Sequence, residues 1–321
     1  MPSHNKLLKK IEEIKNIGYN KDEKIVSYSQ YSKYQTCPHR WKLEYIDKHK
    51  FPDPNINLVF GTAMHEVIQF YLHNVYNKSV KYADENIDLE NLLMFSMKKN
   101  YQKEFDKNGI NFSTMEEVVD YYEDGCAILH FFKNNRSNYF NSRKLEYIGI
   151  EIPLIYTPIE SLPNVKLRAY LDLIFYDKAA KRYKIIDIKT SKSGWNKWQK
   201  KDKSKTDQVL LYKYYFSKLY DIDIQDVDVE FFIVRRKIET DYDFPLKRIQ
   251  EFKPADGSIS INKFVRNFEK FITNSFTTEG YNKEAEYPAV CGEKGWNCTF
   301  CPFNEKENLC PKSKRITSIS N

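Results

Sequence analysis

The sequence predicts an α/β fold with a mixed central sheet flanked by helices. Three observations lead there. Four short segments rich in β-branched and aromatic residues fall in mid-chain, at 147–157, 165–176, 183–188 and 227–235. Segments with helical apolar spacing precede them, separate the last two and follow them. No internal repeat or low-complexity tract interrupts this order. Strands enclosed by helices pack as a layered α/β core.

Composition agrees. The chain has 321 residues, 41% hydrophobic and 30% charged. That is enough apolar material for a large core, and far from a disordered composition. No apolar run exceeds four residues, which excludes a transmembrane helix. The Lys- and Glu-rich stretch 1–19 lacks an apolar signal-peptide core. The expected location is therefore cytoplasmic, in a reducing compartment. The formal net charge of +7 permits a polyanionic partner without demanding one, since a solvated surface accounts for it equally. Lysine far outnumbers arginine and asparagine is frequent, which points weakly to an AT-rich genome such as a viral one.

The elements follow in order. Residues 1–24 read as a charged helical arm ahead of a single domain, 25–321. Ser27 to Asp47 reads as two short helices broken at Thr36-Cys37-Pro38. Proline suits the first helical turn, which places Cys37 at a cap with its thiol off the helix face. Gly61 to Tyr76 reads as an amphipathic helix, with Met64, Val67, Ile68 and Tyr71 on one stripe. Residues from about 77 to 145 read as a helical insertion without recognisable chemistry. A helix near Asp207 to Tyr220 separates the last two strands. A final helix, Ile261 to Phe276, carries Ile261, Val265, Phe268 and Ile272 on one side. A cysteine-bearing segment, 286–312, closes the domain.

The chemistry begins at the second and third strands. Arg168 to Asp177, a four-residue loop Lys178–Lys181, and Arg182 to Thr190 read as a β-hairpin. Its centre falls between Ala179 and Ala180, which sets Asp172 opposite Asp187. Carboxylates so paired repel, and a cation between them relieves the repulsion. Lys189 lies two residues beyond Asp187, on the same strand face. The other face carries Leu171, Leu173, Phe175, Ile186 and Ile188, expected to be core. Hard oxygen ligands suit Mg2+ or Mn2+, and such an ion can activate water and stabilise phosphoryl charge. A solvent-facing hairpin with a cross-strand salt bridge explains the same spacing equally well.

Leu171-Asp172 followed by Asp187-Ile188-Lys189 resembles the PD-(D/E)XK nuclease signature. Ile185 to Ser191 is similar to the RecB-type branch of that superfamily. Gly61-Thr-Ala-Met-His65 resembles its histidine motif, and Gln208-Val-Leu-Leu-Tyr212 its Gln-x-x-x-Tyr motif. Tyr28 to Trp41, with Cys37, resembles the N-terminal cysteine-bearing helix of the AddB-type and CRISPR-associated RecB-like nucleases. Each motif alone is weak; together and in order they carry weight. The resemblance implies a restriction-endonuclease-like core. It implies that His65, Asp172, Asp187 and the Ile188 carbonyl hold the divalent ion, that Lys189 is the catalytic lysine, and that Gln208 and Tyr212 position DNA. Glu151, on the preceding strand, is an acidic neighbour outside this set.

Six cysteines occur, at 37, 126, 291, 298, 301 and 310, and four of them lie in the last 31 residues. Cys298-Thr-Phe-Cys301 and Cys310 supply three soft ligands, with Cys37 or Cys291 as the fourth. Spacing alone leaves zinc and iron–sulfur open. Cys126, on a helix, reads as core. The resemblance favours a [4Fe–4S] cluster on Cys37, Cys298, Cys301 and Cys310, a staple between the chain's two ends. The Cys301–Cys310 gap and the extra Cys291 keep zinc as the alternative.

Lys189 to Lys205 contains seven lysines and one aspartate, with Trp195 and Trp198. Lys192, Lys197, Lys200 and Lys201 are the candidate phosphate contacts, and the tryptophans candidate base-stacking groups. A lysine run is more often a solvated loop; its place just after the proposed catalytic strand favours the functional reading.

The expectation is therefore a Mg- or Mn-dependent DNA nuclease, exonucleolytic or single-strand-preferring, in DNA repair or recombination. No glycine-rich phosphate loop ending in Gly-Lys-Ser/Thr occurs, so any unwinding needs a separate helicase partner. The alternatives are a structure-selective endonuclease and a non-catalytic DNA-binding module on the same fold.

Overall fold

The computed structural model describes residues 4–18, 20–49, 51, 54–238 and 246–319. Parts of two expected segments, residues 1–3 and 19 of the arm and 320–321 of the domain's end, lie outside them.

The strands form one six-stranded mixed sheet: β1 (Lys24–Val26), β2 (Leu145–Tyr156), β3 (Val165–Asp177), β4 (Arg182–Ser191), β5 (Val227–Arg235) and β6 (Ile249–Phe252). β2, β3 and β4 pair antiparallel, and β4 and β5 parallel. The β3–β4 loop is Lys178–Lys181, and Asp177 pairs with Arg182. Asp177 Oδ1 accepts from both Ala179 and Ala180 N–H, 2.9 Å each, which fixes the turn that sets the register. β3 carries β2 along one edge. Its other edge takes β4 at Leu173–Asp177 and β1 at Val165–Leu167. The short β1 and β6 escape a reading by periodicity, because three and four residues carry too little pattern.

Helices cover both faces. On one lie α1 (His4–Lys15), α2 (Tyr28–Thr36), α9 (Lys203–Tyr220) and α10 (Ser258–Ser275). On the other lie α4 (Ile56–Asn77), α6 (Leu89–Asn108) and α7 (Met115–Tyr139), with α5 (Val80–Asn86) between α4 and α6. The expected insertion is thus a helical layer whose residues Leu93, Ile128 and Phe132 bury against α4 and the sheet. Strands covered on both sides need apolar residues at odd and even positions. Tyr183 and Ile185 face the first layer, while Ile186 and Ile188 face the second.

Two expectations change here. The hairpin does not have one apolar and one polar face; the Asp187 face is core at Tyr183 and Ile185 and turns polar only toward the strand's end. The charged N-terminal segment, read as a helical arm ahead of the domain, forms α1 and packs against the sheet. Leu7, Ile11 and Ile14 recur at helical spacing and are buried in the main core, so the charged residues between them are simply the outer face of α1.

α3 (Pro38–Trp41) follows α2 directly, with Cys37 as the shared cap. α8 (Lys197–Lys201) precedes α9. After α10 come the two-residue strands β7 (Phe276–Thr277), β8 (Gly280–Tyr281), β9 (Ala289–Val290) and β10 (Arg315–Ile316). β9 and β10 bracket the cysteine segment.

Candidate functional site

The β3–β4 ladder ends at Leu173 and Ile186, and Asp172 and Asp187 are the next residues in register. Beyond that point the Ile188 N–H donates to Asp172 Oδ2 (2.8 Å) instead of to a strand carbonyl. The two carboxylates therefore stand where the hairpin opens, on a rigid sheet. Asp187 is only 1% exposed. The Lys189 ammonium lies 2.7 Å from Asp187 Oδ2, on the same strand face as the sequence predicts.

α4 brings the histidine. Gly61 lies so close to β4 that a Cβ there would sit 3.1 Å from Thr190 Oγ1. Its hydrogen side chain lets the helix descend onto the strand. One turn later His65 Nδ1 lies 3.4 Å from Asp172 Oδ2. Gln69, on the same helix face as His65, is buried. Its Nε2 donates to Glu151 Oε1 (2.7 Å) and to the Asp172 carbonyl (3.1 Å). Glu151 falls opposite Asp172 in the β2–β3 register and has φ +47°, a left-handed conformation that a non-glycine residue adopts at some strain. An extended strand pattern does not reveal such a turn of the backbone.

α9 closes the site from the first layer. Gln208 Nε2 donates to Tyr212 Oη at 2.6 Å, and Tyr212 is buried. Burial, together with the charges of Asp187 and Asp172, holds its phenol well above the usual range, so it stays protonated.

The electrostatics follow from burial. Asp172 and Asp187 are each pushed up to about 6, first by burial; Lys189 pulls both back, while Glu151 acts upward on Asp172 and Asp172 on Asp187. Burial and the nearby Lys189 push His65 down to about 4, leaving its imidazole neutral. Burial works against the Lys189 charge, but Asp187 and Asp172 outweigh it and raise its pKa. Two carboxylates and a neutral imidazole are donors of a kind that suits a hard divalent cation. Among the described residues no three His, Cys, Asp or Glu side chains form a ready-made cage. The Lys189 ammonium holds Asp187 Oδ2, which otherwise accepts no hydrogen bond from the described residues.

The cysteines separate into two groups. Cys37, Cys298, Cys301 and Cys310 line one cavity, with Arg40 and Arg315 in its wall. All are free thiols. Cys37 Sγ accepts from the N–H groups of Arg40 (3.5 Å) and Val290 (3.4 Å). The Arg315 guanidinium donates to the Cys310 carbonyl (2.8 Å), and its charge offsets the burial that raises the Cys298 thiol. Cys291 stands outside that wall, its thiol donating to the Ile316 carbonyl (3.2 Å). Cys126 is half-buried on α7.

The lysine strip is a built element. Asn196 and Gln199 form a reciprocal capping box at the start of α8. Lys192, Lys197 and Lys201 are exposed, and Lys200 Nζ lies over the Phe252 ring at 5.5 Å. Trp195 departs from expectation. It is 9% exposed and packs on Phe231 at 4.8 Å between centroids, so it is core and closed to bases. Trp198 is exposed.

The family model of the PD-(D/E)XK nuclease superfamily matches residues 25–310, which span the carboxylate pair, the histidine helix and all four cavity cysteines. The chain belongs to that superfamily and is a nuclease in class. A search of curated proteins found no match. Among the described residues, no helix is long and apolar enough to cross a membrane.

Proposed function

We propose that the chain is a divalent-metal-dependent deoxyribonuclease of the RecB-like type, acting as an exonuclease or with preference for single strands. The observation that carries this reading is the convergence of Asp172, Asp187, Lys189 and His65 at the point where β3 and β4 part. In this reading His65, Asp172, Asp187 and the Ile188 carbonyl hold Mg2+ or Mn2+. When bound, the ion supplies Lewis-acid stabilisation of phosphoryl charge and a more acidic water. Lys189 offsets charge that develops on the phosphate. Tyr212, protonated, donates toward the substrate, and its bond to Gln208 fixes its direction. Lys192, Lys197, Lys200 and Lys201 hold the DNA backbone without reading its sequence.

Four cysteine thiols around one cavity, with an arginine beside them, support the [4Fe–4S] staple of the AddB-type and CRISPR-associated nucleases, and zinc is the alternative. Free thiols suit a reducing cytoplasm. Unwinding, in repair or recombination, falls to a separate helicase.

The test is digestion of end-labelled linear and of circular single-stranded DNA with Mg2+ or Mn2+, with and without chelator. Metal-dependent degradation of the linear substrate alone is the expected exonuclease result. Cutting of circles assigns an endonuclease. No cutting under any metal leaves a non-catalytic DNA-binding module.

A further inference from the structure

Two aromatic side chains in the cysteine segment take no part in the proposed chemistry. Trp296 is 70% exposed and Phe300 is 89% exposed. They flank Cys298, and Phe303, three residues past Phe300, is buried instead. Two large exposed aromatics four residues apart are a candidate contact surface.

Shared residues tie them to the catalytic end. A polar groove of about 330 Å3 runs along α2, lined by Tyr28, Ser29, Ser32, Lys33, Thr36 and Arg40. At one end the Tyr28 hydroxyl donates to the Lys203 carbonyl at 3.0 Å, at the start of α9, the helix that carries Gln208 and Tyr212. At the other, Arg40 also lines the cysteine cavity. Asn297, next to Trp296, donates to the Thr36 carbonyl at 2.9 Å. The groove thus spans α2 between the start of α9 and the segment that carries Trp296, roughly 12 Å at 1.5 Å per residue.

The charge along this path favours an anion. Lys33 and Arg40 both pair with the single carboxylate of Glu44, which leaves a net positive charge there. Lys294 is exposed beside Trp296, and Lys314 on the return to β10. A cationic, hydroxyl-lined groove ending in exposed aromatics is how proteins hold unpaired nucleic acid: phosphates along the groove, bases on the rings. A duplex does not expose base faces to stack.

We infer that the α2 groove and the Trp296–Phe300 pair form a track for single-stranded DNA, which the cysteine knuckle anchors at a distance from the scissile bond. The inference rests on the proposed nuclease reading and adds a substrate-gripping role to a segment otherwise assigned only to stapling.

The experiment measures two quantities on the full-length protein: anisotropy of fluorescein-labelled dT20 with Ca2+ in place of Mg2+, and Mg2+-dependent hydrolysis of thymidine 5′-(p-nitrophenyl phosphate). The second is a one-nucleotide ester too short to reach the knuckle. Trp296→Ala and Phe300→Ala should each weaken dT20 binding by roughly 5- to 100-fold, the range expected when one base has no ring to stack on. Hydrolysis of the small ester should stay at the wild-type rate. Trp296→Phe should restore most of the binding. Unchanged dT20 affinity in both alanine variants overturns the inference and leaves the aromatics to a protein partner. Failure of Trp296→Phe to restore binding overturns stacking as its cause. If the wild-type protein hydrolyses neither ester nor DNA but binds dT20 through these rings, the nuclease reading falls and the track stands.

Discussion

The carboxylate pocket and the cysteine knuckle are both candidate metal sites, and the fold treats them oppositely. Asp172 and Asp187 sit on long central strands with cores above and below. Their geometry is set by the sheet register whether or not an ion is present. The knuckle lies between two-residue strands, and its buried cluster is Leu43, Phe303 and Cys310. Little apolar burial holds it. The pocket is thus preorganised at the expense of stability, because it confines like charges, whereas in the proposed reading the knuckle takes its order from a group held by its thiols.

The largest effect that tests this contrast is on catalysis. Lys189→Ala, or Asp187→Ala, should lower cleavage by on the order of 10³-fold or more, as expected when several kcal/mol of transition-state stabilisation is removed. The circular dichroism spectrum should stay unchanged. A folded Asp187→Ala protein that cuts at the wild-type rate removes the pocket from the chemistry.

Next comes the knuckle. Anaerobically purified protein should contain iron and acid-labile sulfide, and Cys37→Ser and Cys301→Ser should each lose most of it. Both should lower Tm and make the two chain ends susceptible to protease. Cys126→Ser should keep the iron. Zinc in place of iron keeps the staple and changes the cofactor. Full metal content in Cys37→Ser with loss in Cys291→Ser removes the bridge to the N-terminus.

The pocket's pH dependence has a definite sign. Asp172 and Asp187 sit at about 6 when folded against an ordinary value of 3.8, so the folded state holds their protons more tightly. Without a divalent ion, that contribution to stability is full below about pH 4 and is lost as pH rises through about 6. Cleavage should run the other way, falling as pH drops through about 6, because protons compete with the ion. In chelator at pH 7.5, Asp187→Asn should therefore raise stability by on the order of 1–3 kcal/mol. A lower Tm for this variant under those conditions contradicts the idea of stored repulsion.

A smaller effect concerns the strip. Replacing Lys197, Lys200, Lys201 and Lys203 together should reduce the salt dependence of DNA binding by roughly one unit of slope for each phosphate left unneutralised. An unchanged slope assigns the strip to solvent.

How much of this was legible in the sequence varied with the range of the interaction. The Asp172–Asp187 register could be counted from the loop centre, because a hairpin is local and Asp177 fixes its turn. His65 and Tyr212 could be placed on helices and linked by their motifs, but not by spacing alone. Trp195 could not be told from Trp198, since the difference lies in Phe231 and Phe252, distant in sequence. The stripe Leu7, Ile11, Ile14 was present, yet the surrounding lysines obscured it until the sheet supplied its partner. The strained Glu151 and its bond from Gln69 leave no sequence signal at all.

The most direct measurement pairs wild-type protein with Asp187→Asn in one thermal and catalytic experiment. Mg2+ or Mn2+ should raise the wild-type Tm and switch on cleavage of labelled DNA, and chelator should reverse both. Asp187→Asn should be the more stable protein in chelator, gain little from the ion and cut nothing. Equal ion-induced stabilisation of the two proteins, or cleavage by Asp187→Asn, would contradict a metal centre at the opening of β3 and β4.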